Sequence, residues 1–210
     1  CRKVRLVLSE KRVKFQMKTE TIWERDEGFL KLNPTGEVPV LVEANGTALS
    51  GSDCICEFLD EVIPEPTLIG REAFARAESR RLIYWFDHKF HQEVTKNLVY
   101  EKVMKRVVGR GAPSAGNIRI GYANIHQHLK YISYLVDRRR WLAGDDMTLA
   151  DLTAAAHLSC VDYIGDVPWE RHLVAKDWYA RVKSRPSFRS LLEDNVPGIA
   201  PANHYIDLDF

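Results

Sequence analysis

This 210-residue sequence has no long apolar run, little net charge and few cysteines, each of which would place a protein in a particular class. No apolar run approaches the ~20 residues that a membrane-spanning helix needs, and stretches such as Val38 to Val42 fall far short. The formal net charge is only +1, because 30 basic side chains are balanced by 29 acidic ones. We therefore expect a protein that is not embedded in a membrane and that has no nucleic acid as a partner, since no basic field attracts phosphates.

Cysteine is the third scarce feature, with four residues that show no paired spacing. Cys54 and Cys56 lie two positions apart in a helical pattern, so they point to different faces. The sequence therefore predicts reduced, buried thiols and no disulfide framework. No signal-peptide pattern opens the chain, which favours a cytoplasmic location.

The chain is long enough for two domains, with 45% hydrophobic residues to fill their cores. Val4, Val7 and Leu8 share one face of a helical pattern at the start of the sequence. Strict alternation of apolar and polar residues from Val13 to Met17 then predicts a strand with one buried face.

A β-hairpin and a third helix complete the first pattern. Val38 to Val42 predicts a buried strand, which Asn45-Gly46 turns into a partner strand. Ser52 is predicted to cap the following helix, and Pro64 and Pro66 end it because proline cannot continue a helix.

From Arg71 onward the periodicity is helical throughout. Long helical patterns run from Phe74 to Val108 and from Ile118 to Val136, and a further one runs from Leu173 to Ser184. Between the second and third of these patterns lies Thr148-Leu149-Ala150-Asp151, which has the spacing of a capping box. In such a box the hydroxyl and the carboxylate each accept a hydrogen bond from the other residue's backbone amide.

The order of elements resembles that of the cytosolic glutathione transferases, with the opening strand of that family absent before Cys1. Two motifs make the resemblance specific: residues 33–41, Asn-Pro-Thr-Gly-Glu-Val-Pro-Val-Leu, look like the cis-proline loop of the family, and residues 143–151 look like its second-domain capping motif. The resemblance implies a thioredoxin-like α/β domain over residues 1–64, an all-α domain over 65–195 and an extended tail over 196–210.

The resemblance also implies where glutathione would lie. By analogy with the family, glutathione would be bound by the backbone at a cis Val38-Pro39 bond and by the hydroxyl of Ser52. Gly51, however, stands where relatives often carry Glu or Gln. The role that we favour for Pro39 in this chain is to shape the turn into an edge strand. We therefore expect a vestigial site and no catalytic residue among those present. The alternative is a working glutathione transferase that uses glutathione on an electrophilic small molecule, with its nucleophile in sequence before Cys1.

Two exposed-looking features suggest a protein partner instead. Trp23 stands among polar residues, either as an interface anchor or folded back onto its own domain. The tail alternates apolar and acidic residues, which suits an extended peptide docking into pockets, or docking onto its own core. The candidate contact residues of the tail are Tyr205, Ile206, Asp207, Leu208, Asp209 and Phe210.

Gly51 and the tail together resemble the FtsZ-binding, cell-division branch of the family. That resemblance implies a homodimeric, non-catalytic protein at the division site, which binds filaments of the tubulin-like FtsZ and couples them to septal wall synthesis. No cofactor is expected, other than glutathione if the alternative holds. No metal site is expected either, since His88, His91 and Glu93 lack the spacing of metal motifs.

Overall fold

The computed structural model describes residues 1–208, which form two compact units that divide after Leu68. The first unit contains three helices and one hairpin, in the α/β order expected for the N-terminal domain of the fold. The helices are α1 (Arg2–Glu10), α2 (Glu27–Leu32) and α3 (Ser52–Val62), and the strands are β1 (Val40–Val42) and β2 (Ala48–Ser50).

The hairpin confirms the prediction from Asn45-Gly46. β1 and β2 are antiparallel with Leu41 opposite Leu49, and the amide of Glu43 donates to the carbonyl of Thr47 across the turn. Gly46 has a φ of 87°, which glycine adopts without steric cost. The first strand begins at Val40, two residues later than predicted.

The strand predicted from Val13 to Lys18 is absent, and this prediction is wrong. Phe15 and Met17, which would form its buried face, are both exposed. A strand is stabilised by hydrogen bonds to a neighbour, and within residues 1–208 β1 pairs only with β2. Alternation alone therefore does not produce a strand, and residues 13–18 have no regular secondary structure.

Lys3 of α1 and Lys11 at its C-cap are buried, whereas the sequence pattern places basic residues largely off the apolar face. The ammonium of Lys11 donates to Asp60 at 2.6 Å and to the carbonyls of Ile63 and Pro66 at 2.5 and 2.6 Å. Lys3 forms an ion pair with Asp53. Lys11 thus neutralises the exposed carbonyl end of α3, where cations are favoured.

Every named element of the second unit within residues 69–208 is a helix, as predicted, and an irregular tail follows the last of them. Its first long helix is continuous and includes two stretches of π-helix, which the sequence pattern does not predict. The elements are α4 (Ala73–Tyr84), π-helical Trp85–Thr95, α5 (Lys96–Val99), π-helical Tyr100–Met104, α6 (Lys105–Val108), α7 (Ala115–Val136), α8 (Leu149–Tyr163), α9 (Leu173–Lys183) and α10 (Arg189–Leu192), with 3₁₀ turns at Trp169–Arg171 and Pro186–Phe188.

The capping box at the start of α8 is confirmed. The amide of Thr148 donates to Asp151 Oδ2 at 2.9 Å, and the Thr148 hydroxyl accepts from the amide of Ala150 at 3.2 Å. The buried Asp151 carboxylate also accepts from the Leu142 amide and from Trp178 Nε1. One carboxylate therefore joins α8, α9 and the loop between α7 and α8.

Among residues 1–208, none of the helices combines the length and the apolar character that crossing a bilayer requires.

Candidate functional site

The cis-proline loop lies at the entrance to β1. The Val38-Pro39 bond is cis, as the sequence motif suggests, and Val38 is partly exposed. Asn33 Nδ2 donates to the carbonyl of Glu37 at 2.8 Å, which fixes the loop before the proline. The Pro39 carbonyl accepts from the amide of Gly51 at 3.3 Å, so the loop is tied to the start of α3.

Gly51, and not Ser52, is the N-cap of α3. The sequence predicts that the Ser52 side chain caps this helix, but the structure makes Ser52 its first residue and contains no side-chain capping bond there. Gly51 has a φ of 90° and a ψ of 127°, a conformation that residues with a Cβ rarely adopt. The backbone at this position therefore favours glycine, independently of any ligand.

A cavity of about 1000 Å³ lies in the first unit beside the cis-proline loop. It is bounded by α1, residues 13–18, residues 38–44 and α3, and its walls include Leu8, Val40 and Phe58. Val38 and Pro39 of the cis-proline loop are also among the residues that line it.

Trp23 lies in the irregular segment before α2, and its side chain is 42% exposed. The turn that carries it is stabilised by hydrogen bonds between Thr21 and Glu24, made by both side chain and backbone. Arg25 follows in the left-handed conformation, with a φ of 53°. An aromatic ring is therefore presented on a hydrogen-bonded turn, which is consistent with the interface interpretation.

The tail does not present all the residues expected to contact a partner. Tyr205 is fully buried in its own unit, and its hydroxyl donates to the carbonyl of Leu191 at 2.9 Å. For this residue the self-docking interpretation is correct, because a phenol ring gains more from the core than from solvent. Ile206 is 65% exposed, Asp207 is exposed and Leu208 is partly exposed. Asp209 and Phe210 lie outside the described residues.

A buried polar network next to the tail was not predicted. Asp162 on α8 and Lys183 on α9 are both fully buried, with 3.7 Å between Oδ2 and Nζ. Both contact His204: its ring nitrogen Nε2 lies 2.9 Å from Asp162 Oδ1, and its carbonyl accepts from Lys183 at 3.2 Å. A signal exists in the sequence, since Lys183 follows Tyr179 by one helical turn on the inward face of α9.

Two histidines, on α7 and α8, contact carboxylates of the first long helix of this unit. His157 Nε2 lies 2.9 Å from Asp87 Oδ1, and His128 Nε2 lies 2.9 Å from Glu93 Oε2. Burial lowers the pKa of His128, and Glu93 opposes this effect. Over the described chain, no three His, Cys, Asp or Glu side chains are grouped suitably for a metal ion. These contacts stabilise helix packing.

Comparison with known proteins identifies the family. Residues 1–62 match the family described as "Glutathione S-transferase, N-terminal domain". Over its whole length, the chain is 48% identical to FtsZ-localized protein A of Caulobacter vibrioides and covers 93% of that protein. The chain belongs to the glutathione S-transferase family.

Solved structures of the family are similar in fold as well as sequence. FzlA from C. crescentus matches with a TM-score of 0.96 and 48% identity, covering 100% of this chain and 94% of that one. A glutathione S-transferase from Rhodospirillum rubrum F11 matches with a TM-score of 0.98 and 59% identity, over the same shares of the two chains. The glutathione S-transferase fold, with a small α/β domain and a helical domain, is thereby confirmed.

Proposed function

We propose that this glutathione S-transferase-like protein acts in bacterial cell division as a non-catalytic homodimer that binds FtsZ filaments and couples them to septal wall synthesis. The observation that carries the proposal is the similarity to FtsZ-localized protein A over the entire chain, at 48% identity. The expected location is the division site, on the cytoplasmic side where FtsZ assembles.

Two surface features support a partner-binding role. The ring of Trp23 is exposed on its turn, and Ile206 and Leu208 extend from the end of the helical unit with Asp207 between them. A few deeply inserted side chains, tryptophan prominent among them, supply most of the binding energy of protein interfaces, and an extended segment such as the tail can place alternate side chains in pockets of a partner. Acidic residues beside them would favour a partner surface with basic groups.

Self-association is supported by an aromatic surface on the second unit. Tyr131 packs against Trp85 with ring centroids 4.5 Å apart and stacks with Tyr134 at 6.5 Å. Tyr84 and Tyr134 are more than half exposed. Exposed aromatic rings are typical of interfaces. A two-fold dimer would double the number of filament contacts and strengthen weak ones by effective concentration.

The state of the glutathione site supports a non-catalytic role. Position 51 has no side chain to receive the γ-glutamyl group, and its positive φ disfavours one. The residual elements of the glutathione site are the backbone at Val38 and Pro39 and the hydroxyl of Ser52. In this proposal the protein needs no cofactor.

Co-sedimentation tests the proposed function. The full-length protein should pellet with FtsZ assembled by GTP and remain in the supernatant with unassembled FtsZ. Deletion of residues 206–210 should abolish pelleting and leave the protein folded, since the buried Tyr205 is retained. Equal pelleting of the deletion variant would contradict a role for the tail.

A second candidate function is catalysis with glutathione. The specific observations in its favour are the cis Val38-Pro39 bond and the 59% identity to a protein named as a glutathione S-transferase. Calorimetric titration with glutathione, followed by a conjugation assay with an electrophilic aryl halide, distinguishes the two functions. Saturable binding together with turnover would favour the enzyme.

A further inference from the structure

The last turn of α8 fixes the path of the tail before its exposed end. The hydroxyl of Tyr163 accepts from the Val196 amide at 3.0 Å and donates to the carbonyl of Ile199 at 2.7 Å. The carbonyl of Tyr163 accepts from the Ala202 amide at 2.8 Å. One residue thus holds the tail backbone at three points spread over seven positions.

Tyr205 fills the core position at the end of this path. Its ring meets Tyr163 edge to face, with centroids 5.1 Å apart, and its hydroxyl bonds to the carbonyl of Leu191. Burial removes the ring from water, and the hydroxyl keeps a hydrogen-bond partner, so both parts of the side chain favour this site. The chain cannot leave it without exposing that ring.

The buried charge pair of Asp162 and Lys183 holds His204, the residue before Tyr205. Asp162 receives hydrogen bonds from Trp169 Nε1 at 2.8 Å and from the Tyr179 hydroxyl at 3.3 Å, besides its contact with the His204 ring. Lys183, whose side chain is fully buried, donates to the His204 backbone carbonyl. A buried ammonium needs its acceptors, so the charge pair and the tail stabilise each other.

The carboxylate of Asp207 in the tail also interacts electrostatically with Lys183. Burial lowers the pKa of the Lys183 ammonium, and the carboxylates of Asp162 and Asp207 oppose this effect. The amide of Asp207 donates to the carbonyl of His204 at 3.1 Å, so the chain turns immediately after Tyr205. Ile206, 65% exposed, lies within this turn.

We propose that Ala202, His204 and Tyr205 form a tail anchor that holds Ile206, Asp207 and Leu208 in a preset position for a partner. Lys183 and Asp162 are positioning residues that act through the anchor, whereas Ile206 and Leu208 make the contact. The inference rests on the proposed function, in which the end of the tail binds a division partner. The partner surface that fits has apolar pockets flanked by basic side chains.

The physical reason for an anchor is the entropy of binding. A free peptide end loses backbone entropy at every residue that binding orders. Ordering these residues beforehand removes part of that cost and raises affinity without adding contacts. Residues that never touch the partner therefore contribute to the affinity.

Three full-length variants test the inference. Lys183→Met keeps the length of the side chain and removes the charge that binds the His204 carbonyl. Insertion of two glycines between Tyr205 and Ile206 leaves the anchor intact but frees the end of the tail. Ile206→Ser removes a contact only. Arg181→Met, an exposed position on the same helix that packs over Trp141, is the matched control.

Hydrogen exchange and titration against GTP-assembled FtsZ are measured on each variant. Lys183→Met should speed amide exchange at Ala202, Tyr205 and Asp207 about tenfold or more, and by a larger factor than in α7. It should weaken FtsZ binding about tenfold, and the glycine insertion should weaken it similarly without changing exchange at the anchor. Ile206→Ser should weaken binding with normal exchange, and Arg181→Met should change neither.

The outcomes separate this inference from the proposed function. If the wild-type protein binds FtsZ and the glycine-insertion variant binds it with the same affinity, the proposed preset position of the tail is wrong, although FtsZ binding itself stands. Unchanged exchange in a folded Lys183→Met variant would overturn the anchor itself. If the wild-type protein fails to bind FtsZ, the proposed function fails and the exchange data still decide whether the anchor exists. If Lys183→Met does not fold, the glycine insertion decides.

Discussion

Gly51 illustrates how a single backbone conformation can limit a binding site. Its φ of 90° permits the amide to reach the Pro39 carbonyl and the chain to enter α3 without a capping side chain. Any side chain at this position would be strained. The absence of an acidic or amide group there therefore has a backbone cause as well as a functional interpretation.

Replacement of Gly51 by alanine should destabilise the protein by about 1–3 kcal/mol, the usual cost of a sparsely populated backbone conformation in a residue with a Cβ. Gly144→Ala is the control, because Gly144 has no positive φ and a Cβ added there would meet no atom within 4 Å. Urea unfolding of both variants measures the difference. Equal stability of the two would show that position 51 tolerates a side chain.

Gly121 marks a close approach between helices α7 and α5. A Cβ at this position would lie 2.7 Å from Leu98 Cγ and 3.0 Å from Asn97 Cβ, closer than atoms can pack. Gly121→Ala should therefore cost about 1–3 kcal/mol by overpacking, although alanine is the better helix former.

Gly116→Ala on the same helix is the matched control. Its nearest neighbour would be Ser114 Oγ at 3.7 Å, an ordinary contact, so no loss of stability is expected. Thermal unfolding of the two variants distinguishes packing from helix propensity. A similar effect of both substitutions would mean that the contact with Leu98 relaxes freely.

Element boundaries show which parts of the fold the sequence determines locally. The capping box of Thr148 and Asp151 and the turn at Asn45-Gly46 were predictable, because each depends on residues within a few positions. The state of the segment at Val13 was not predictable, because a strand needs hydrogen bonds to a neighbouring strand. The alternation of apolar and polar residues does not show whether such a neighbour exists. The burial of Lys11 and Lys183 depends on carbonyls 52 and 21 positions away.

The residues of the candidate site also divide into those whose structure nearby residues determine and those whose structure depends on distant ones. The cis Val38-Pro39 bond was predictable from its motif. The burial of Tyr205 was not predictable, because its pocket is formed by Tyr163 and Leu191 from other parts of the unit. Long-range packing decides which residues of an alternating segment remain exposed.

Glu101 connects two helices through one carboxylate, and this contact should depend on pH. Hydrogen bonds from Lys105, the Ser114 amide and Asn117 lower the pKa of Glu101 from 4.5 to about 2. Because the pKa is lowered in the folded state, the stabilisation is fully present above pH 4.5 and is lost as the pH falls towards 2.

Glu101→Gln should therefore be less stable than the wild type at about pH 7, and the difference in melting temperature should narrow as the pH falls from about 4.5 to about 2. Glu193→Gln, an exposed position in the same unit, should show no such narrowing. Melting curves at several pH values across this range are sufficient. A constant difference would mean that the carboxylate charge does not stabilise the start of α7.

The whole molecule is proposed to work as a dimer through the aromatic surface of its second unit. Tyr84→Glu combined with Tyr134→Glu should convert dimer to monomer, because charges replace rings that are proposed to be covered by a second copy. Leu173→Glu, an exposed apolar position on α9, should remain dimeric. Sedimentation velocity over a range of concentrations reports the change, and a dimer in both variants would place the interface elsewhere.

The central claim is that the folded protein recognises assembled FtsZ. A titration of labelled full-length protein against FtsZ polymerised with GTP, beside an equal titration against FtsZ held in GDP, tests it most directly. We predict saturable binding to the polymer and binding to unassembled FtsZ that is weaker by about tenfold or more, since a dimer gains avidity only on a repeating filament. No saturable binding to the polymer would contradict the account.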